Sequence, residues 1–256
     1  MIVVSDDKAR NLRRWNVVMT VLHATSALVM VALATDFSLP VTNYVADHPP
    51  GAALDPANTT VLFDYSLAWG TAAFALLSAV FHAIVAGPGF AAYIRELEHG
   101  RNRFRWVEYA LSSTLMILLV AGLNIITDVA ALIGIAGANV AMILFGWIME
   151  MVNPPERETT WWAPFTFGSI AGIVPWIAIA VSTFAGGGAG NVPGFVWGIL
   201  ASLFLFFNSF AVVQLLQYRA KGRWADYLVG EKTYQVLSLV SKTALAWQIF
   251  AGALAG

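Results

Sequence analysis

Two charged residues stand inside otherwise apolar stretches of the sequence. Lys242 lies near the middle of residues 233–256, and Glu108 lies near the start of residues 106–127; each is the only charge in its stretch. About 20 apolar residues span the bilayer hydrocarbon as a helix. A lysine in mid-membrane costs roughly 2.5–3.5 kcal/mol, so it indicates either a functional site or a structural ion pair. On a helix Lys242 lies more than ~14 Å from either end of its stretch, which disfavours snorkelling to the surface.

Lys242 and Glu108 are expected to pair, because burying either charge alone is costly. Glu108 lies about one to two turns into its helix, and Lys242 lies roughly 15 Å beyond Lys232. The Cα–Cβ bond tilts toward a helix N-terminus, so the lysine side chain points back toward the half of the membrane that holds Glu108. His23 and His82 fall in the same half and suggest a polar cavity, although each could simply bond a neighbouring carbonyl. No metal site is expected, since cysteine is absent and only one carboxylate is near.

Composition places the whole chain in a membrane. Of its 256 residues 59% are hydrophobic and 11% are charged, and the mean hydropathy is +0.70; a soluble protein has about 25% charged residues. The absence of cysteine excludes a disulfide framework and thiolate chemistry. The net charge of −1 argues against nucleic acid as a partner.

The charges divide the sequence into seven apolar stretches long enough to span a bilayer. They are residues 15–35, 65–86, 106–127 and 129–149, two stretches between 159 and 218 separated at the glycine-rich residues 185–194, and 233–256. The sequence therefore predicts an all-α membrane protein with seven helices in one domain, residues 1–256. The link 36–64 exceeds an ordinary connection and is expected to have structure or a role of its own. The N-terminal stretch is interpreted as a retained first helix rather than a signal peptide.

Lysine and arginine predict the orientation, because they accumulate on the cytoplasmic side of membrane proteins. Of the 14 basic residues, 13 fall on the side of the N-terminus and of the links after the second, fourth and sixth stretches. The remaining one is Lys242. We therefore expect a plasma-membrane protein with a cytoplasmic N-terminus and an extracellular C-terminus, in which the membrane interior holds one cation, Lys242, and one anion, Glu108.

These features resemble a microbial (type 1) rhodopsin, and their details are more similar to the heliorhodopsins. The resemblance rests on the lysine in the seventh span, on the inverted topology, and on the stretches RFRWVEYALSS at 103–113 and SLVSK at 238–242. It implies that Lys242 binds retinal, all-trans in the dark, as a protonated Schiff base with Glu108 as its counterion. It further implies a retinal pocket that includes Ser238, Ser112, Tyr109, Met116, Asn139, Met142, Phe207 and Gln214. The polar, proton-accepting region that it implies comprises His23, His82, Ser78, Trp106, Glu150, Arg105, Asn102 and Tyr93.

The residues favour a light sensor over a pump. A proton pump needs a relay of ionisable groups, yet Leu119 stands eleven residues after Glu108 and Ser238 stands four before Lys242, where pumps carry acids. We therefore expect a slow photocycle without net ion pumping. A light-gated proton channel or weak pump remains an alternative, as does a retinal-free transporter that uses Lys242 and Glu108 as its coupling site.

An enzyme is not expected, because no activated serine, metal motif or phosphate-binding loop is found. Glu150 and the neighbouring Glu156 and Arg157, taken without the resemblance, are interpreted as solvated surface. The expected partners are membrane lipid, a second copy of the chain, and an unidentified cytoplasmic or membrane signalling protein. The dimer contact is expected in the link 36–64, with the glycines of a G-x-x-x-G, Gly168 and Gly172, as an alternative.

Overall fold

The structure is a computed structural model that describes residues 1–45, 49, 51, 53, 55–185 and 194–254. Its elements are α1 (Asp6–Ala32), β1 (Ser38–Tyr44), β2 (Thr59–Ser66), α2 (Leu67–Ala86), α3 (Phe90–Glu98), α4 (Arg103–Leu123), α5 (Val129–Val152), α6 (Ala163–Phe184), α7 (Gly194–Arg219) and α8 (Tyr227–Leu254). Part of the link 36–64 and residues 186–193 of the glycine-rich break lie outside the described residues.

In the described part of the chain, seven long helices form the bundle, as the sequence predicts. Helices α1, α2, α4, α5, α6 and α7 are long and apolar enough to cross a membrane, and α8 is 28 residues long. Large apolar side chains cover the outside of the bundle, among them Leu28, Ile133 and Leu205, which are 67–70% exposed. Such a surface suits contact with lipid rather than with water.

Several helices begin before the apolar stretches that predict them. Helix α1 begins at Asp6 rather than Trp15, and the Ser5 side chain caps it by accepting from Lys8 N. Helix α8 begins at Tyr227 rather than Thr233. Hydropathy detects only the part of a helix that lies in hydrocarbon, whereas lysine, arginine and glutamate are good helix formers outside it. Charged residues that the sequence places in links are therefore parts of the helices.

The described residues of the link 36–64 include two strands paired as a β-hairpin, which confirms that the link has structure of its own. Strands β1 and β2 pair antiparallel from Ser38–Ser66 to Tyr44–Thr59, with an irregularity between Val41 and Thr42. Thr42 N donates to Thr127 O at 2.9 Å, which ties the hairpin to the turn before α5. The all-α prediction therefore omits a two-stranded sheet at this end of the bundle.

The opposite end, which we call the basic face, carries residues 1–5, the short helix α3, residues 153–162 and the turn 220–226. The sequence does not predict α3. The N-terminal segment is tied to it, since Ile2 N donates to Glu98 O at 2.8 Å. Apart from Lys242, every lysine and arginine lies in or next to these segments or in the adjoining ends of the helices.

The two glycines of the G-x-x-x-G lie against a neighbouring helix of the same chain. A Cβ at Gly168 would lie 3.0 Å from Phe145 Cβ, and one at Gly172 would overlap Met142 Sδ. Both contacts are with α5, so these glycines allow α6 to approach α5 closely. The motif therefore serves packing within the bundle.

Candidate functional site

Lys242 and Glu108 meet inside the bundle, where α8, α4 and α2 come together. Lys242 Nζ donates to Glu108 Oε1 at 2.6 Å, and both residues are about 5% exposed or less. Ser78 of α2 joins them, because its hydroxyl accepts from Lys242 Nζ and donates to Glu108 Oε1 at 2.6 Å. We call this arrangement the Lys–Glu pair. The expected pairing of the two residues is confirmed.

An apolar cavity reaches the Lys–Glu pair from between α4, α5, α6 and α7. It encloses about 1120 Å³ of atom-free space, including its open mouth, and Lys242 forms part of its wall. Aromatic side chains line much of it: Trp106, Trp176, Phe207 and Phe210. An aromatic-lined cavity that ends at a buried lysine fits a long apolar aldehyde such as retinal, bonded to Nζ.

Most of the predicted pocket residues line this cavity. They are Tyr109, Ser112, Met116, Met142, Phe207, Gln214 and Ser238, and Trp106 joins them from the predicted polar region. Asn139 is not among the lining residues. Its side-chain amide instead donates to Ser113 Oγ and Thr114 Oγ1, both at 2.9 Å, and so ties α5 to α4.

The two histidines, His23 of α1 and His82 of α2, stack on each other. The rings of His23 and His82 lie 5.5 Å apart between centroids and are nearly parallel, at 10°. His82 Nδ1 donates to Asn16 Oδ1 at 2.7 Å, and Asn16 Nδ2 donates to Leu12 O at 2.9 Å. His23 Nε2 is buried and has no hydrogen-bond partner among the described residues. The pair therefore differs from histidines whose ring nitrogens are all hydrogen-bonded in a core, because His23 Nε2 has no partner among the described residues.

A small polar cavity connects this region with the Lys–Glu pair. Its walls include His82, Asn16, Glu108 and Ser238. Ser238 borders both cavities, and its hydroxyl is buried without a partner in the described part of the chain. The sequence-based expectation of a polar cavity near the histidines thus corresponds to an observed space.

The same polar cavity ends at a second group of buried charges, which we call the charge cluster. Arg105 forms ion pairs with Glu150 and Glu231, and the three side chains are at most 3% exposed. The remaining members are polar residues that bond the two carboxylates: Tyr93, Asn102, Trp106, Tyr227 and Gln235. The expectation of a single buried cation and a single buried anion is therefore wrong.

Glu150 shows why that expectation fails. It lies in the last turn of α5, where the sequence alone suggests a solvated surface, yet it is 2% exposed. The start of α4, through Arg105 and Trp106, and the start of α8, through Tyr227, bond its carboxylate and cover it. How these helix ends pack against α5 does not follow from hydropathy. Glu156, in contrast, is exposed and pairs with the Met1 amino group.

Sequence reasoning missed Asn16 and the polar residues of the first turns of α8. Glu231, Gln235, Ser238 and Lys242 follow the spacing i, i+4, i+7 and i+11, which places them on one face of a helix. This spacing predicts a polar face on the helix that carries Lys242. Asn16 and His23 are likewise seven residues apart on α1. Tyr234 also went unnoticed, and its backbone carbonyl accepts from Tyr109 OH at 3.0 Å.

Comparison with known proteins gives one family. A family model described as Heliorhodopsin matches residues 12–254, nearly the whole chain. No curated protein matches the chain at a significant level. The family match confirms the resemblance that the third and seventh spans suggested.

Proposed function

The chain belongs to the heliorhodopsin family of retinal-binding, rhodopsin-like membrane proteins, and we propose that it is a light sensor whose retinal is bound to Lys242 with Glu108 as counterion. The observation that carries this proposal is the buried contact of 2.6 Å between Lys242 Nζ and Glu108 Oε1 at the end of an aromatic cavity. Retinal bound there supplies absorption of visible light and a double bond that isomerises.

The protein's own residues hold the proton at Lys242 Nζ. Glu108 stabilises a positive charge there, because an opposite charge within about 4–6 Å favours the charged form. Ser78 fixes the geometry by bonding both partners. The Tyr109 ring lies 5.6 Å from Nζ, close enough for its negative face to contribute.

Among the described residues, the acceptors near Lys242 Nζ for a released proton lie on the side of the basic face. Glu108 and His82 both border the polar cavity there. On the other side, Leu119 is 1% exposed and packs in the apolar core, where its methyl groups would touch a Cβ at Gly70. No carboxylate in the part of the chain that the structure describes stands where a relay needs one, so we propose a slow return of the proton by the same route, without net transport.

Illuminated vesicles test this proposal. The full chain with all-trans retinal should form a visible-absorbing pigment and produce no sustained pH change that a protonophore abolishes. A steady, protonophore-sensitive pH change would make the protein a pump, and a photocurrent that reverses with voltage would make it a channel. Failure to form any pigment with retinal would favour the retinal-free transporter.

We further propose that the basic face is cytoplasmic, because 13 of the 14 lysines and arginines belong to it or to the adjoining helix ends. A cysteine introduced at Lys221, which is exposed in the turn after α7, should react with a membrane-impermeant thiol reagent only after cells are opened. Labelling of intact cells would reverse the orientation.

We also propose a homodimer that uses the β-hairpin. Strand β2 exposes Val61, Leu62 and Phe63, each more than 50% accessible. An exposed apolar edge strand is a common site of chain association. We expect the detergent-corrected mass of the unsubstituted protein to equal two chains. The double variant Leu62→Glu, Phe63→Glu should have the mass of one chain. A mass of one chain for the unsubstituted protein would contradict the dimer.

A further inference from the structure

Tyr234 of α8 is a buried tyrosine between the retinal site and the charge cluster. It is 1% exposed, and its ring packs in one apolar cluster with Trp106 and Tyr109 of α4. Its hydroxyl has no hydrogen-bond partner among the described residues. The hydroxyl is therefore not one of the donors that hold the carboxylates of the charge cluster, and what Tyr234 contributes through its side chain is the ring.

The charge cluster holds this ring in place. The Arg105 guanidinium carbon lies 4.2 Å from the centroid of the Tyr234 ring, within the distance at which a cation and the face of a ring attract each other. Arg105 is itself fixed, because it forms ion pairs with both Glu150 and Glu231. The Trp106 ring lies 4.9 Å from the same guanidinium and contacts the Tyr234 ring edge-on, at 6.3 Å between centroids.

Tyr234 in turn contacts two residues that line the apolar cavity, Phe210 of α7 and Tyr109 of α4. Its ring stacks with the Phe210 ring at 6.2 Å between centroids and 25° between planes, and its backbone carbonyl accepts from Tyr109 OH at 3.0 Å. The rings of Phe210 and Tyr109 also contact each other edge-on, at 5.3 Å. The Tyr109 ring lies 5.6 Å from Lys242 Nζ, so Tyr234 supports the cavity wall at the end where the lysine lies.

We propose that Tyr234 is a positioning residue of the retinal site, which fixes Phe210 and Tyr109 so that the aldehyde of a bound retinal reaches Lys242 Nζ. This inference rests on the proposed light-sensing function. The apolar chain of retinal offers the wall no hydrogen bonds, so the packing of the rings must hold it. Two groups react fast only when they are held about 3–3.5 Å apart in the right orientation. A wall that is loose by about 1 Å is enough to spoil such a site.

The test uses the full chain, expressed without retinal and then mixed with all-trans retinal in the dark. The absorption maximum and the rate of pigment formation are measured, and neither requires a photocycle. Tyr234→Leu removes the ring but keeps the backbone carbonyl that binds Tyr109. Because a misplacement of about 1 Å can slow a positioned reaction on the order of 10²-fold, this variant should slow pigment formation roughly tenfold or more. Its absorption maximum should also differ from that of the unsubstituted protein.

Two matched variants separate positioning from stability. Tyr234→Phe keeps the ring and loses only a hydroxyl without a partner in the described part of the chain, so it should restore the rate and the absorption maximum. Tyr218→Leu removes another buried ring that an arginine covers, since the Arg157 guanidinium lies 4.8 Å from its centroid. Tyr218 is not among the described residues that line the retinal cavity. Tyr218→Leu should therefore lower the melting temperature, as Tyr234→Leu does, but leave the rate and the absorption maximum unchanged.

Arg105→Lys provides a second variant in case Tyr234→Leu does not fold. It keeps a cation for Glu150 and Glu231 but lacks the planar group that lies over the Tyr234 ring, so it should also slow pigment formation and displace the absorption maximum.

A rate and an absorption maximum like those of the unsubstituted protein would overturn this inference alone, if found in Tyr234→Leu or, where that variant does not fold, in Arg105→Lys. Equal changes in Tyr234→Leu and Tyr218→Leu would do the same. No pigment from the unsubstituted chain would overturn the light-sensing proposal together with this inference.

Discussion

The Lys–Glu pair and the charge cluster are both buried and ionic, but their carboxylates are held by different numbers of donors. Glu108 Oε1 accepts from Lys242 and Ser78. In the charge cluster, four donors surround each of Glu150 and Glu231. The pair borders two cavities and neighbours the free hydroxyl of Ser238. We infer that the Lys–Glu pair is arranged to give up and regain a proton, whereas the charge cluster is arranged to keep its charges and its geometry.

Removal of Arg105 should have the largest effect and should act on stability. Arg105→Ala leaves two carboxylates buried without their cation, and breaking a buried ion pair in this way costs about 3–5 kcal/mol. Thermal unfolding in detergent, with Lys232→Ala at an exposed lysine as control, measures the loss. An unchanged melting temperature would mean that the cluster does not hold the basic face together.

Glu108→Gln should act mainly on colour. Glutamine keeps the volume of the side chain but removes the anion 2.6 Å from Lys242 Nζ. The pigment should therefore lose its proton near neutral pH and absorb to the blue, in chloride-free buffer where no external anion replaces the carboxylate. Glu158→Gln, at an exposed carboxylate, serves as control. A spectrum like that of the unsubstituted protein would place the counterion elsewhere.

Ser78→Ala should give a smaller spectral change than Glu108→Gln. It removes the hydroxyl that bonds both members of the pair but leaves the two charges in place. We expect a shift of the absorption maximum with the pigment still protonated at neutral pH. If Ser78→Ala abolished the visible band as Glu108→Gln does, the hydroxyl and not the carboxylate would be controlling the proton.

Tyr93→Phe should have the smallest effect and should leave the spectrum unchanged. Burial raises the pKa of the Tyr93 phenol well above its usual value, so the group stays neutral and serves as a donor to Glu231 Oε1 at 3.1 Å. Loss of one of four donors should cost about 1–3 kcal/mol, measured by thermal unfolding. A shift of the visible band by this variant would show that the cluster and the pair are not separate in role.

The same comparison explains what the sequence could reveal. Lys242 and Glu108 stand out because each is the only charge in a long apolar stretch, so the pair follows from hydropathy and the cost of burial. Glu231 stands beside Lys232 just before the apolar stretch 233–256, where a charge suggests a surface. Its burial depends on how α3, α4 and α8 pack, which is a tertiary property. Asn139 lies outside the predicted pocket for a related reason. Its helix is predicted correctly, but the rotation of α5 directs the amide to Ser113 and Thr114 instead of the cavity.

The most direct test of the retinal site is to locate the covalent bond. The full chain is incubated with all-trans retinal, the bond is reduced with borohydride, and the digested peptides are weighed by mass spectrometry. We predict a retinyl group on the peptide that contains Lys242, and none in Lys242→Ala. A retinyl group on Lys8, Lys221 or Lys232 instead, or its retention in Lys242→Ala, would contradict the assignment.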